Sequence, residues 1–462
     1  MWDRLKLFFT PFDARYEDMT RANWRSVVWR DVSAAIIVAM MAIPMAMGFA
    51  MAAGLRPEHG IVAGAVAGIV GGLFGGSKYN VYGPVAALIP MIAGLMAKYA
   101  TPEDPYAGHH FLVLICVCAG PMLLLMALLG WGKVGNLVPH SIVVGFSVGI
   151  AVVIGLTQLG EVLGLKEDVR GSSLAMVQGI WRNLHETHWA ALLLAGLTFW
   201  MTRYLLKVSI FIPAPLIAIG VTTLLSATLL ANSGLSTVKS EYGAIPTHFL
   251  ALSTPALPAS DLATLGTLVF YSLAFAFVCG FESLLCARMA DRQAENRGTP
   301  YHPDKEFWGQ GLLLLLVPLL NGMPLSGALA RTSTKIQVGG MTPLCELLKC
   351  VFKLLLVYFL ASFLELIPMA CVGGILLWVA FNMVKPVEIR KIWNLNRFHA
   401  FLMVYTCVMV IAFGFLTGVL SATLIYGVLC KFLDKPPSGL TESDELRPTV
   451  IPLEQDARAL SA

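Results

Sequence analysis

Gly322-Met323-Pro324-Leu325-Ser326-Gly327-Ala328 cuts across an otherwise apolar part of this chain, and Leu329-Ala330-Arg331 restarts it. Glycine and proline stop a helix. Proline also suits the first turn of the next helix, where its missing N–H would have no partner. Upstream, Tyr82-Gly83-Pro84-Val85-Ala86-Ala87 has the same character. Each interruption follows a marked position by roughly 40 residues, as an internal repeat would arrange. Pro44 interrupts the apolar run before the first. Glu282, the lone carboxylate of the run from Leu262 to Cys286, precedes the second. An ionised group deep in a bilayer costs a few kcal/mol, so by default it marks an ion or proton path. The plainer alternative is a wetted helix end.

The 462 residues are 57% apolar and 13% charged, with a mean hydropathy of +0.73. That excess of apolar surface excludes an ordinary soluble domain and fits an all-α polytopic membrane protein. Windows of about 20 residues pick out about fourteen apolar segments. Segments 83–98, 306–320 and 326–338 are too short to cross a core of roughly 30 Å as straight helices. Short pieces flanked by glycine and proline suggest broken helices lining a cavity. The polar stretch 232–263 divides the chain into residues 32–231 and 264–433, with seven segments each. An odd number forces the second copy into the membrane upside down. Inverted repeats with paired broken helices place a substrate site at the midplane, where the two half-helices meet.

With the N-terminus in the cytoplasm, most lysines and arginines fall on that side, from Arg4 and Arg15 through Lys78, Arg203, Arg288 and Lys305 to Arg390 and Lys431. The opposite loops keep Arg56, Lys98, Lys166, Arg170, Arg182 and Lys239. This asymmetry places both termini in the cytoplasm, in a plasma membrane of the bacterial inner-membrane kind. Residues 1–31 read as an interfacial segment with Trp2, Phe8, Phe9, Phe12, Trp24 and Trp29. Residues 434–462, with Pro436, Pro437 and a run of acids, read as a disordered cytoplasmic tail. The nine cysteines lie mostly in apolar segments without metal-type spacing and read as buried small hydrophobes.

At each break the restarted helix presents free N–H groups and the positive end of its dipole. Two such ends facing each other attract an anion without a fully charged side chain. The neighbouring side chains Val85, Ala86, Ala87, Ala328 and Ala330 are small, so a ligand can approach the backbone. Arg331 adds a diffuse positive charge near the anion, or pairs with Glu282 in the empty site, or only snorkels from a short helix. Thr332, Ser333 and Thr334 line an exit or bond back to helix carbonyls. Phe49 and Met45, a turn apart on the first segment, form an apolar wall or ordinary core. Glu346, Lys349 and Lys353 read as an ion-paired, snorkelling face. His185 and His188 lack a third ligand and His109-His110 sit in a loop, so no metal site is expected.

Four blocks taken together resemble the sulfate permease family, the anion transporters that include bacterial SulP and animal SLC26 proteins. The first is Ile43-Pro44-Met45-Ala46-Met47-Gly48-Phe49 through Gly60, and the second is Phe74-Gly75-Gly76-Ser77 through Gly83-Pro84. The third runs from Phe281-Glu282-Ser283 through Glu306-Phe307-Trp308 to Ala330-Arg331-Thr332, and the fourth is Gly373-Gly374-Ile375-Leu376-Leu377. The resemblance implies a seven-plus-seven inverted repeat, a core domain of segments 1–4 and 8–11, and a gate domain of 5–7 and 12–14. It implies an anion pocket at Phe49, Val85, Ala86, Ala330 and Arg331, cation coupling at Glu282, elevator-like movement of the core, and a homodimer. Three departures stand out. Met45 replaces a common glutamine, Leu313 and Leu314 stand where the family usually shows an asparagine nearby, and too few residues follow Asp434 for the STAS domain most relatives carry.

The reading is a secondary active symporter of a small anion (bicarbonate, sulfate or a C4-dicarboxylate), coupled to a proton or sodium at Glu282. The expected partners are that anion, the coupling cation and membrane lipid, with no nucleic acid and no other cofactor. The second reading is an uncoupled anion exchanger or channel, and the third a nucleobase:cation symporter of the same architecture. An enzyme is not expected, because no nucleophile–base or metal-ligand set lies at membrane depth.

Overall fold

Backbone N–H and C=O groups in lipid must be satisfied within their own segment, so the apolar runs become helices. The computed structural model describes residues 2–101, 104–132, 139–165, 173–246, 251–258, 261–296 and 298–433. The tail read at 434–462 lies outside the described residues, as do Lys166 and Arg170. Helices coincide with all the predicted membrane segments. In the first half they are α1 (Trp24–Ala52), α2 (Pro57–Phe74), α3 (Ile89–Tyr99, entered by a 3-10 turn at Ala86–Leu88), α4 (Gly108–Leu129), α5 (His140–Leu163), α6 (Trp189–Val208) and α7 (Ala214–Thr228). In the second half they are α8 (Leu262–Gln293), α9 (Pro303–Leu319), α10 (Leu329–Val338), α11 (Leu344–Glu365), α12 (Met369–Met383), α13 (Arg397–Phe413) and α14 (Phe415–Leu433). Among the described residues, eight helices are long and apolar enough to cross a membrane.

Local chemistry sets the boundaries. Pro57 and Pro303 open α2 and α9, and Gly130 and Gly164 close α4 and α5 at φ of 78° and 66°. Pro44 does not break the first segment as expected: α1 runs through it for 29 residues. The helix is tightly packed there, with residues 41–51 all buried. Tertiary packing thus holds a helix that local propensity would kink.

The helices pack as two groups. One joins α1, α2, α4 and α8–α11, with α3 against α4; the other joins α5–α7 and α12–α14. Helix α1 also touches α7 and α12 of the second group. Small residues make the first group dense. Gly60, Gly64 and Gly68 recur every fourth residue along α2, and a β-carbon on Gly64 would collide with Lys353 Nζ of α11. Between α2 and α3, Tyr82–Gly83 forms β1. Between α9 and α10, Ser326–Gly327 forms β2. The strands pair antiparallel, Tyr82 opposite Gly327 and Gly83 opposite Ser326.

The N-terminal segment docks on protein instead of only lying at the lipid interface. Phe8 is buried and stacks on Trp308 of α9 at 5.0 Å, with Phe9 edge-on at 5.3 Å. Arg15 donates to the carbonyls of Gly72 (3.3 Å) and Leu73 (2.9 Å), which the end of α2 leaves unpaired. Lys305 at the start of α9 donates to Thr10 O (2.8 Å) and pairs with Asp13 (2.5 Å). Burial pushes the Asp13 carboxyl up, but Arg15 and Lys305 outweigh it and hold the pKa below the usual value. Phe12, Trp24 and Trp29 stay exposed.

Candidate functional site

Breaking two helices inside a membrane leaves backbone groups that must find partners. The strand pair takes some. Ala328 N donates to Val81 O at 2.8 Å, and Val81 N to Thr332 Oγ1 at 2.9 Å. Side chains from α9 to α11 take others: Gln310 Nε2 donates to Leu325 O (2.7 Å), Lys349 Nζ to Tyr82 O (3.0 Å), and Lys335 Nζ to Lys78 O (2.8 Å). Arg331 donates to Pro84 O. No side chain caps the restarted helices. Val85 precedes the turn into α3, and Ala328 precedes α10, neither offering an acceptor. The first N–H groups of both half-helices are therefore available at the same place, either side of the strand pair.

Of the residues expected to line the pocket, Val85, Ala86, Ala330 and Arg331 lie at the two breaks, and Phe49 lies on α1. Phe49, Val85 and Ala86 are buried, and Ala330 is exposed at the first turn of α10. Phe49 and the buried Met45 belong to α1, which packs against both α3 and α10. Arg331 is buried and does not snorkel. Its guanidinium lies over the first break, where a β-carbon on Gly83 would sit 2.5 Å from Nη1. It forms no ion pair with Glu282, so of the roles read from the sequence the geometry carries the positive charge beside the breaks. Thr332 serves the backbone of the first break, and Ser333 donates to Gln293 at 2.7 Å.

Two carboxylates flank the strand pair. Glu282 of α8 is half-buried and accepts one hydrogen bond, from Ser326 Oγ of β2 at 2.7 Å. Glu306 of α9 is fully buried and accepts four: from Gly76 N (2.8 Å), Asn80 Nδ2 (2.7 Å), Tyr82 OH (2.8 Å) and Ser283 Oγ (2.5 Å). Sequence reasoning missed Glu306, because an acid at the end of a polar loop reads as wetted. The Phe307-Trp308 that follow it were the available signal.

The charged face of α11 differs from the sequence reading. Glu346 and Lys349 do pair, at 2.6 Å, but they and Lys353 are fully buried and none reaches a membrane surface. Glu346 Oε2 faces Tyr82 N at 3.4 Å, while Oε1 has no hydrogen-bond partner among the described residues. Among the described residues Lys353 Nζ has a single acceptor, Gly60 O at 3.4 Å, in the space that Gly64 leaves free. His109 also differs: it belongs to α4, not a loop, is buried, and stacks on His59 at 4.2 Å. His185 lies exposed against Arg182 O at 3.0 Å.

Comparisons with known proteins agree with this geometry. The profile of the Sulfate permease family matches residues 28–406. A putative sulfate transporter of Bacillus subtilis, YvdB, is 31% identical over 401 residues, covering 86% of this chain and 72% of its own length. A probable sulfate transporter of Mycobacterium tuberculosis is 29% identical over 406 residues, covering 86% and 69%. Among solved structures, the transmembrane domain of the cyanobacterial bicarbonate transporter BicA superposes with a TM-score of 0.74 at 23% identity, over 86% of this chain and 97% of that one. SLC26A9 superposes with a TM-score of 0.79 at 15% identity, over 93% and 68%. With the family profile spanning the breaks, both acids and the helices around them, the chain belongs to the sulfate permease family: it is a multi-pass membrane anion transporter and not an enzyme.

Proposed function

We propose that this transporter is a cation-coupled symporter of a small anion, working by an elevator-like movement of the group containing α1–α4 and α8–α11 against the other. The observation that carries the reading is the pair of uncapped half-helix starts on either side of one strand pair, with Arg331 reaching across to Pro84. Together they offer N–H donors and one cation to an anion approaching the backbone. Phe49, Val85, Ala86 and Ala330 form the walls. Glu282 is the coupling group: with one donor and a small part of its surface free, it has room to take a proton or a sodium ion. Sulfate and bicarbonate, named for the relatives and a structural neighbour, are the first candidates, with C4-dicarboxylates beside them. The basic-loop asymmetry supports cytoplasmic termini in a bacterial inner membrane, and the family resemblance supports a homodimer.

The test is uptake of labelled sulfate and bicarbonate into proteoliposomes under imposed proton or sodium gradients. Accumulation that follows one gradient and disappears in Glu282→Gln supports the reading. Uptake indifferent to both gradients identifies an uncoupled exchanger or channel.

A further inference from the structure

Glu346 is a third acid at the strand pair, and its two oxygens differ. It lies on α11 and is 1% exposed. Oε2 takes Lys349 Nζ at 2.6 Å and faces the N–H of Tyr82 at 3.4 Å. Oε1 has no hydrogen-bond partner among the described residues. Leaving a buried oxygen unpaired costs free energy, so its persistence calls for a reason. Beside it on β1 the need is opposite. Arg331, 3% exposed, lies against Gly83, the residue after Tyr82; a β-carbon there would sit 2.5 Å from Nη1. Its guanidinium has five donors, and the acceptor it holds is the neutral carbonyl of Pro84. Glu346 acts on that charge more strongly than Glu282 does. Gly68 of α2 lets α11 close in behind the acid: a β-carbon on it would strike Glu346 O at 2.5 Å.

We propose that Glu346 substitutes for the transported anion: its Oε1 takes the Arg331 guanidinium when the anion leaves and yields it when an anion arrives. The inference rests on the symport reading and deepens it. A symporter must return its travelling group without cargo, whereas an exchanger returns it loaded. An unmatched Arg331 would make the empty return costly, because a bare cation would pass the apolar face of the other group. Glu282 does not serve here, since an acid locked to Arg331 would offer nothing to the coupling cation. The movement required is small. Arg331 leaves Pro84 O and turns back from Gly83 towards Tyr82, one residue or about 3.3 Å of strand. Lys349 stays on Oε2 throughout, so the existing ion pair is kept. Glu346 is thus both the partner that permits the return and a competitor that the anion must displace.

The experiment compares the full-length wild-type chain with the double variant Glu346→Gln/Lys349→Met, which removes both members of the ion pair and leaves the formal charge unchanged. Proteoliposomes are either preloaded with unlabelled anion, to read exchange, or free of it and under the coupling gradient, to read net uptake. The label is sulfate, with bicarbonate in a parallel set, and anion-induced thermal stabilisation gives affinity without transport. Exchange should stay within about threefold of wild type, while net uptake falls about tenfold or more. The half-maximal anion concentration for stabilisation should drop about fivefold, because the competitor is gone. A residue that only neutralised Lys349 would leave affinity and the ratio of net uptake to exchange as they were. Glu346→Gln/Lys349→Gln serves if the first variant does not fold. Net uptake and exchange changing in step, or an unchanged affinity, overturns the inference and leaves the symport reading standing. A wild-type protein that exchanges the anion but never accumulates it overturns the symport reading, and with it the role in empty return.

Discussion

Glu282 and Glu306 are both carboxylates beside the same strand pair, and Ser283, next to Glu282 in sequence, is bonded to Glu306. Yet one has a single donor and some exposure, while the other has four donors and none. A carboxylate whose lone pairs are all occupied cannot change partners without breaking the structure that supplies them. A carboxylate with free lone pairs can. Position alone would have made the two acids equivalent; the count of donors separates an anchor from an exchangeable group.

The sharpest way to break that contrast is Glu306→Ala. It strands a backbone N–H, an amide, a phenol and a hydroxyl where water does not reach, so stability should fall by at least about 3 kcal/mol. Loss of monodisperse protein on size exclusion, or a collapse in thermal midpoint, would register it; a normally folded variant would demote Glu306 from anchor. Glu282→Gln should do the reverse. Its amide oxygen still accepts from Ser326, so the thermal midpoint should stay near wild type, while gradient-driven accumulation falls about tenfold or more. Should both variants unfold alike, the distinction between the acids is wrong.

Arg331→Ala sharpens the picture from the other side of the strands. It removes the cation over Pro84 and should weaken anion binding about tenfold in thermal-shift titrations, without the folding loss of Glu306→Ala. The smallest effect concerns Asp13, outside the membrane segments. Its folded pKa is held below the usual value of 3.8, so its contribution is complete above that value and is lost as the pH falls through the folded pKa. Acidification below about pH 4 should therefore loosen the N-terminal segment, seen as a change in Trp308 emission, before the membrane helices respond. Asp13→Asn should abolish that early step.

Much of this was legible in the sequence. Hydropathy located the helices, and glycine with proline located the two breaks, because both signals act over many residues or through backbone geometry. The strand pair was not legible: two residues at 82–83 and two at 326–327 carry no periodicity. The burial of Lys349 and Lys353 was also hidden, since a helix face does not reveal its neighbour. Gly60, Gly64 and Gly68 on α2 were the complementary half of that signal, visible only once α2 and α11 are known to pack. Pro44 misled for a related reason, its local preference being overridden by surroundings the sequence does not name.

The clasp of residues 8–15 on α2 and α9 has a practical consequence. Under the elevator cycle proposed above, the group containing α2 and α9 would travel against the other, and this clasp would carry the chain's first residues with it through Arg15, Lys305 and the Phe8–Trp308 stack. A fluorophore placed near position 8 would therefore ride with the cargo, and its distance to a second dye on α13 would read out each stroke of the carrier.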